Sequence, residues 1–245
     1  MKVYGIIGYP LDHSFSQRYF TEKFQRESLM DCRYETFPIK SIDELAYILE
    51  QHPGLLGLNV TIPYKRSVLP YLNDLSSIPS GVHACNCIRV KDGKLIGYNT
   101  DVTGFERSLL PHLKDHPGSA LILGNGGAAE AVKYVLRKLN IPFTTVSRKK
   151  QEGTDLSYDE LNETIIKDNN LIINTTPLGT FPDVNACPDI PYSALTSRHH
   201  LFDLVYNPEK SLFLQQGEQQ GAGIQNGYEM LVIQAEESWK IWNAG

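Results

Sequence analysis

Ser119-Ala120-Leu121-Ile122-Leu123-Gly124-Asn125-Gly126-Gly127-Ala128-Ala129 is the stretch whose reading decides the fold. It opens as a short apolar run, passes through a glycine-rich turn, and leads into a helical pattern over Glu130–Leu139. Strand, turn and helix stand in the order that a dinucleotide-binding fold requires. Gly124 and Gly126 fit the first two positions of GxGxxG/A, with Ala129 in the third. Small residues there permit a tight turn, close approach to a pyrophosphate and close helix packing. A plain glycine turn is the alternative, but a second strand, Phe143–Ser147, follows at the right distance. The cofactor candidates in the turn are Gly124, Gly126, Gly127 and Ala128. An NAD site usually carries an acidic residue about 20 residues on, at the ribose 2′-hydroxyl. Ser147-Arg148-Lys149-Lys150 stands there instead. A hydroxyl followed by three cations suits a 2′-phosphate, so Ser147 and Arg148 are candidates and NADP is the expected cofactor. The competing reading is a solvated basic turn.

Working outward, the chain alternates strands and helices on both sides of this unit. Upstream, Val3–Gly8 and Arg33–Ile39 read as strands and Ser41–Glu50 as a helix. Leu55 onward reads as a third strand and Arg66–Leu72 as a short helix. Ala84–Val90 and Lys94–Tyr98 flank an Asp92-Gly93 hairpin turn. Cys85 and Cys87 alternate on that strand and are expected on one face. A helix from Asp101 to about Leu113 bridges to the second half. Downstream come a helix over Ser157–Lys167, strands over Leu171–Asn174 and Leu201–Val205, a helix over Leu212–Gln220, a short strand over Ala222–Ile224 and a C-terminal helix after Gly227. The pattern is α/β throughout.

Composition narrows the function classes. Of 245 residues 41% are hydrophobic and 21% charged, an ordinary globular balance, and the net charge of −5 leaves no basic footprint for nucleic acid. No apolar run is long enough to span a membrane, and the first residues do not read as a signal peptide. Cys32, Cys85, Cys87 and Cys187 show neither a disulfide framework nor zinc spacing, which points to free thiols in a reducing cytoplasm. His112 and His116 have helical metal-ligand spacing, but Pro117-Gly118 ends the helix and no third ligand follows. They read as surface residues, and no metal is expected.

Polar residues gather where strands end. In Leu58-Asn59-Val60-Thr61-Ile62-Pro63-Tyr64-Lys65, Asn59 and Thr61 share a strand face, and Pro63 ends the ladder just before Lys65. In Gly8-Tyr9-Pro10-Leu11-Asp12-His13-Ser14-Phe15-Ser16, the serines either cap the next helix or hold an anion at its positive end. Asn86 inside a strand needs partners. Thr100 or Asp101 is placed to cap a helix. Gln234, on the helix with Met230, Leu231, Ile233, Trp239 and Trp242, is by itself a residue expected at the surface.

These strings together resemble the shikimate dehydrogenase family, from Gly8 to Gln234. Asn59–Lys65 resembles its NVTxPxK, and Gly97–Gly104 its GxNTDxxG. Gly8–Gln17 resembles GxPxxHSxSP with Gln17 for the final proline, and His83–Cys87 resembles GAxNT with only the alanine and asparagine kept. Asn174–Gly179 resembles NxTPxG, Asp203–Pro208 DxxYxP and Gly227–Gln234 GxxMLxxQ. Of the family's Asn-Arg-Thr, only Arg148 matches outright. The resemblance implies reversible reduction of 3-dehydroshikimate to shikimate with NADPH, in aromatic amino acid biosynthesis. It implies two α/β domains with a cleft between them. The substrate domain is expected over 1–101 plus 226–245, and a Rossmann-like NADP domain over 102–225. Lys65 and Asp101 are the implied catalytic pair, the aspartate paired with the lysine. Ser14, Ser16, Asn59, Thr61, Asn86, Tyr206 and Gln234 are the implied substrate contacts. Thr176, Val205 and Gly227 join the cofactor set. Lys65 as ammonium stabilises and protonates the developing alkoxide, or only polarises the oxygen. The expected partner is a small polyhydroxylated acid, with no nucleic acid and no membrane, in a monomer or homodimer. The alternatives are a quinate-preferring relative using NAD, and a non-catalytic binding homologue.

Overall fold

The computed structural model describes residues 1–11, 14–113, 118–150 and 152–244. They form two compact units, Met1–Thr100 with Gln234–Gly245, and Asp101–Ile233. From the N-terminus the elements are β1 (Lys2–Gly8), α1 (Phe15–Arg26), β2 (Cys32–Pro38), α2 (Glu44–Gln51), β3 (Leu55–Val60), β4 (Cys87–Lys91) and β5 (Lys94–Tyr98). Then follow α3 (Thr100–Leu109), β6 (Ala120–Leu123), α4 (Gly127–Lys138), β7 (Phe143–Ser147), β8 (Leu156–Ser157) and α5 (Glu163–Asp168). β9 (Leu171–Asn174), β10 (His200–Asp203), α6 (Leu212–Gln219), β11 (Gly223–Gln225) and α7 (Tyr228–Asn243) complete the chain.

The first unit is built on a five-stranded sheet in the order β2-β1-β3-β4-β5. β1 runs parallel to β2 and β3, while β4 is antiparallel to β3 and β5. Asp92 and Gly93 have φ of 50° and 71°, as a two-residue turn matched to strand twist demands. Alternation along β1 sends Val3 and Ile7 into a core with Leu45, Ile48 and Leu58. Tyr4 and Ile6 enter a second core with Phe20, Phe24, Ala235 and Trp242. The Trp242 indole donates to Ile88 O at 3.0 Å and covers Gly57, where any Cβ would collide with it. Packing of this kind joins the end of α7 to the N-terminal sheet.

The second unit carries a six-stranded parallel sheet in the order β11-β10-β9-β6-β7-β8. Read from β8, that is the doubly wound order 3-2-1-4-5-6, with its reversal between β6 and β9. Every residue of β6 and β9 is buried, as strands covered on both faces must be.

Several expectations change. Only Leu69–Tyr71 of the Arg66–Leu72 segment is helical, as a 3-10 turn, with Pro70 inside it. Ser157–Lys167 divides into a capping-box 3-10 turn at Tyr158–Glu160 and α5, because Ser157 and Asn162 each cap a separate start. Cys85 and Cys87 do not share a face: Cys85 packs with Leu58 and Ile88, Cys87 with Tyr4 and Phe20. The reason is that β4 begins only at Cys87, and the Cys85 N–H donates to Lys65 O at 2.7 Å. Asn86 therefore precedes the strand, although its N–H donates to Tyr98 O and its C=O accepts from Val60 N. No helix among the described residues is long and apolar enough to cross a membrane.

Candidate functional site

In the first unit the strand order reverses between β1 and β3, and open α/β sheets bind ligands outside the carboxyl ends of strands at such a reversal. The two chains leaving it are stapled together. Thr61 N–H donates to Ile7 O and Tyr9 N–H to Ile62 O, both at 3.0 Å. The β1 exit leads to Ser14 and Ser16, the β3 exit to Thr61 and Lys65. Ser14 is the N-cap of α1, its Oγ accepting from Gln17 N at 3.3 Å, so the capping alternative holds. The cap uses Ser14 as an acceptor and leaves its O–H to donate. Ser16 is buried in the first turn of α1. Thr61 and Lys65 are half-buried, and the Lys65 backbone is held to Cys85.

Behind these loops lies a continuous buried polar chain. Tyr34 donates to Asn59 Oδ1 at 2.7 Å, and Asn59 Nδ2 donates to Ser238 Oγ at 3.1 Å. Ser238 Oγ lies 3.3 Å from Thr100 Oγ1, which accepts from Asn86 Nδ2 at 2.9 Å. Thr100 N–H donates to Asn86 Oδ1 at 2.7 Å, so α3 starts on the asparagine. Asn86 Nδ2 also approaches Gln234 Oε1, at 3.4 Å. Gln234 is thus buried, against the expectation of exposure. Asn59, Asn86 and Gln234 are brought together. Burial pushes the Tyr34 phenol well above its ordinary pKa and keeps it a donor. Tyr34 and Ser238 were not among the sequence candidates. Tyr34 reads as one more aromatic on a strand. Ser238 carried a signal, a hydroxyl one turn after Gln234 on an apolar helix face.

In the second unit the reversal lies between β6 and β9. Thr175 N–H and Oγ1 both donate to Leu123 O at 2.8 Å. Gly124 has φ of 108°, and a Cβ there would meet Thr175 Oγ1 at 2.7 Å, so only glycine fits. Gly126 is the extended N-cap of α4 with no side-chain cap, and a Cβ on it would meet nothing within 4 Å. Open space beside the uncapped start of a 12-residue helix, at Gly127 and Ala128, fits a pyrophosphate. The buried Ser147 donates to Lys149 O at 2.6 Å and curls the basic turn, leaving Arg148, Lys149 and Lys150 exposed. Such a turn fits a further phosphate. Lys133, buried on α4, donates to Asn125 Oδ1 at 2.5 Å and Gly153 O at 3.0 Å. It ties the glycine turn to the loop beyond the basic residues.

Thr176, Val205 and Gly227 meet around a buried carboxylate that the sequence did not single out. Asp203 accepts from Asn174 Nδ2 at 2.9 Å and Val205 N at 3.0 Å, and from the Ser211 hydroxyl. Burial pushes its pKa up to about 6, although all three bonds favour the ionised form. Thr176 bonds Asn174 Oδ1 through both N–H and Oγ1, and Gly227 N–H donates to Val205 O at 3.1 Å. Gly227 packs on Leu204 O with no room for a Cβ. Tyr206 follows, half-buried, and Asp101 is buried in the first turn of α3. His112 is exposed and stacks on His200 at 5.4 Å, while His116 lies outside the described residues. Among the described residues no His/Cys/Asp/Glu group could hold a metal ion.

Residues 6–88 match the shikimate dehydrogenase substrate binding domain. A shikimate dehydrogenase (NADP(+)) of Desulforamulus reducens is 33% identical, over 98% of this chain and 89% of that protein. The crystal structure of an Aquifex aeolicus shikimate dehydrogenase superposes with a TM-score of 0.88 at 29% identity, covering 100% of this chain and 93% of that one. A Thermus thermophilus shikimate 5-dehydrogenase in complex with NADP(H) and shikimate gives 0.85 at 27% identity, covering 100% and 94%. The chain belongs to the shikimate dehydrogenase family.

Proposed function

We propose that the chain catalyses the reversible, NADPH-dependent reduction of 3-dehydroshikimate to shikimate. The observation that carries this reading is the buried chain of amides and hydroxyls at the β1/β3 reversal, inside the region matching the family's substrate binding domain. A polyhydroxylated acid needs many oriented partners, and a cluster of amides and hydroxyls beside the strand ends supplies them. The first unit binds the acid and the second the dinucleotide. Ser14 and Ser16 hold the carboxylate at the start of α1, where the helix end favours an anion. Asn59, Thr61, Asn86 and Gln234 bond the ring hydroxyls.

Reduction of a ketone needs a hydride at carbon and a proton at oxygen. NADPH would supply the hydride; its phosphates would be held by Gly124, Gly126, Gly127, Ala128 and Arg148, with Ser147 shaping the turn, and its nicotinamide end by Thr176, Val205 and Gly227. Lys65, as ammonium, stabilises the alkoxide that forms and passes it a proton. Asp101 accepts from a ring hydroxyl and orients the proton transfer. The four free thiols fit a reducing cytoplasm. The test is absorbance at the nicotinamide band, with shikimate or quinate and with NADP+ or NAD+. Turnover is expected with shikimate and NADP+. Absence of turnover with shikimate under either cofactor overturns the reading.

A further inference from the structure

We infer that Asp203 is a positioning residue for the cofactor, a buried hydrogen-bond acceptor that fastens together the two loops reaching its nicotinamide end. This rests on the proposed assignment of Thr176, Val205 and Gly227 to that end. Asp203 belongs to neither the cofactor set nor the substrate set above, and it is sealed from solvent, at 0% exposure.

Groups that can only donate settle the direction of these bonds. Thr176 N–H donates to Asn174 Oδ1 at 3.0 Å, which turns Asn174 Nδ2 toward Asp203 Oδ1 at 2.9 Å. The same Asp203 oxygen accepts from Val205 N–H at 3.0 Å. One oxygen thus holds the exit of β9 and the exit of β10. The other accepts from the Ser211 hydroxyl, which caps α6 by accepting from Leu214 N–H at 3.4 Å. Asn174 passes the fastening along the β9 exit. Thr176 Oγ1 donates to Asn174 Oδ1 at 2.6 Å, and Leu178 N–H donates to Thr176 Oγ1 at 3.3 Å. On the other side Val205 O accepts from Gly227 N–H at 3.1 Å. Thr176, Val205 and Gly227 are each joined to Asp203 directly or through a single intermediate residue.

Packing alone does not call for a carboxylate here. Burial disfavours a charge, and among the described residues no lysine or arginine pairs with this one. Burial pushes its pKa up to about 6, while the three bonds pull the other way. A protonated carboxyl would set an O–H among three donors, so acid loosens the fastening. The titratable group facing Asp203 is the Tyr192 phenol, whose own pKa is pushed up by burial and then by Cys187 and Asp203, so it stays neutral. His200 Nε2, at the start of β10, lies 3.2 Å from Gln225 Oε1, and Lys210 pairs with Glu218 of α6 at 2.8 Å.

The experiment is calorimetric binding of two ligands to the whole chain: NADP+, and 2′-phospho-ADP-ribose, which keeps every phosphate but lacks the nicotinamide. At about pH 8, Asp203→Asn is expected to raise the Kd for NADP+ roughly 5- to 20-fold, as weakening of charge-assisted hydrogen bonds does. The Kd for 2′-phospho-ADP-ribose stays within about twofold of the parent's, which a general loosening of the fold would not allow. As pH falls through about 6, the parent's Kd for NADP+ rises to meet the variant's. Titration of the 2′-phosphate affects both proteins alike and cancels in the ratio. Ser211→Ala removes a bond that favours the ionised form, and so moves the loss of NADP+ affinity to higher pH. The inference is overturned if Asp203→Asn binds NADP+ like the parent, or weakens both ligands alike. A ratio of the two Kd values that does not change with pH overturns it as well. Should Asp203→Asn fail to fold, Ser211→Ala decides, and an unmoved pH profile then overturns the inference. A parent chain that binds neither ligand overturns the underlying cofactor reading instead.

Discussion

Lys65 stands where β3 gives way to turns, with its backbone carbonyl fixed by Cys85 N–H at 2.7 Å. A fixed backbone under a half-buried ammonium suits a group that must meet a charge present only near the transition state. Removing it should lower turnover far more than it weakens binding. Lys65→Ala is expected to lose about 10²–10⁴ in turnover, the usual range for general acid help. Shikimate affinity should change much less. Separate measurement of turnover and affinity checks this: normal turnover with collapsed affinity would make Lys65 a binding residue only. Asp203 makes a different prediction, one about stability. Burial raises its folded pKa to about 6 from an ordinary 3.8, so the native state binds the proton more tightly than the unfolded chain. Its contribution is full below the unfolded pKa and is lost as pH rises through the folded one. Between about pH 4 and pH 7, wild type should lose on the order of 2–3 kcal/mol relative to Asp203→Asn. Urea unfolding of both proteins across that range tests it, and parallel curves would refute it.

Among the elements, the β7 exit carries the proposal for cofactor choice. Ser147 ends the strand buried and bends the chain so that Arg148 and two lysines stand exposed beyond it. Nothing acidic occupies 147–150 itself, and the nearby Glu160 carboxylate lies 3.5 Å from Lys150 Nζ, leaving Arg148 as the cation the test addresses. Arg148→Ala is expected to raise the KM for NADP+ by about 10- to 100-fold, the worth of a charge-assisted hydrogen bond. The KM for NAD+ should hardly move. Equal effects on both cofactors would mark the turn as merely solvated. Lys133 supports the same element from below by tying Asn125 to Gly153.

At the level of the whole molecule the two units differ in continuity. Asp101–Ile233 is one uninterrupted segment with its own core around Leu121, Ile172 and Phe213. The other unit needs both ends of the chain, because Trp242 covers Gly57 and Ser238 completes the polar chain behind Asn59. A fragment of residues 101–233 should unfold cooperatively by itself and retain NADP+ binding. A fragment of residues 1–100 should not, until a peptide of residues 228–245 is added. Circular dichroism melts of the fragments, alone and mixed, check this. A cooperative transition in 1–100 alone would show that α7 is dispensable to the first sheet.

The sequence by itself determined whatever depends on neighbours in the chain. The turn after Leu123, the Asp92-Gly93 hairpin, the basic turn after Ser147 and most strands are legible because periodicity and turn chemistry are local. The family strings also placed Asn59, Asn86 and Gln234 at one site. Tertiary structure alone decided how those amides are turned, since Asn59 and Ser238 are 179 positions apart and no local signal links them. It alone separated Cys85 from Cys87, because the Lys65 carbonyl captures an amide that a regular strand would have paired. Local pattern also overreached at Arg66–Leu72 and Ser157–Lys167, where an internal proline and competing caps cut the helix short. Asp203 shows the same limit. Its charge is plain in the sequence, but its raised pKa comes from desolvation, which exists only once distant segments have closed over it.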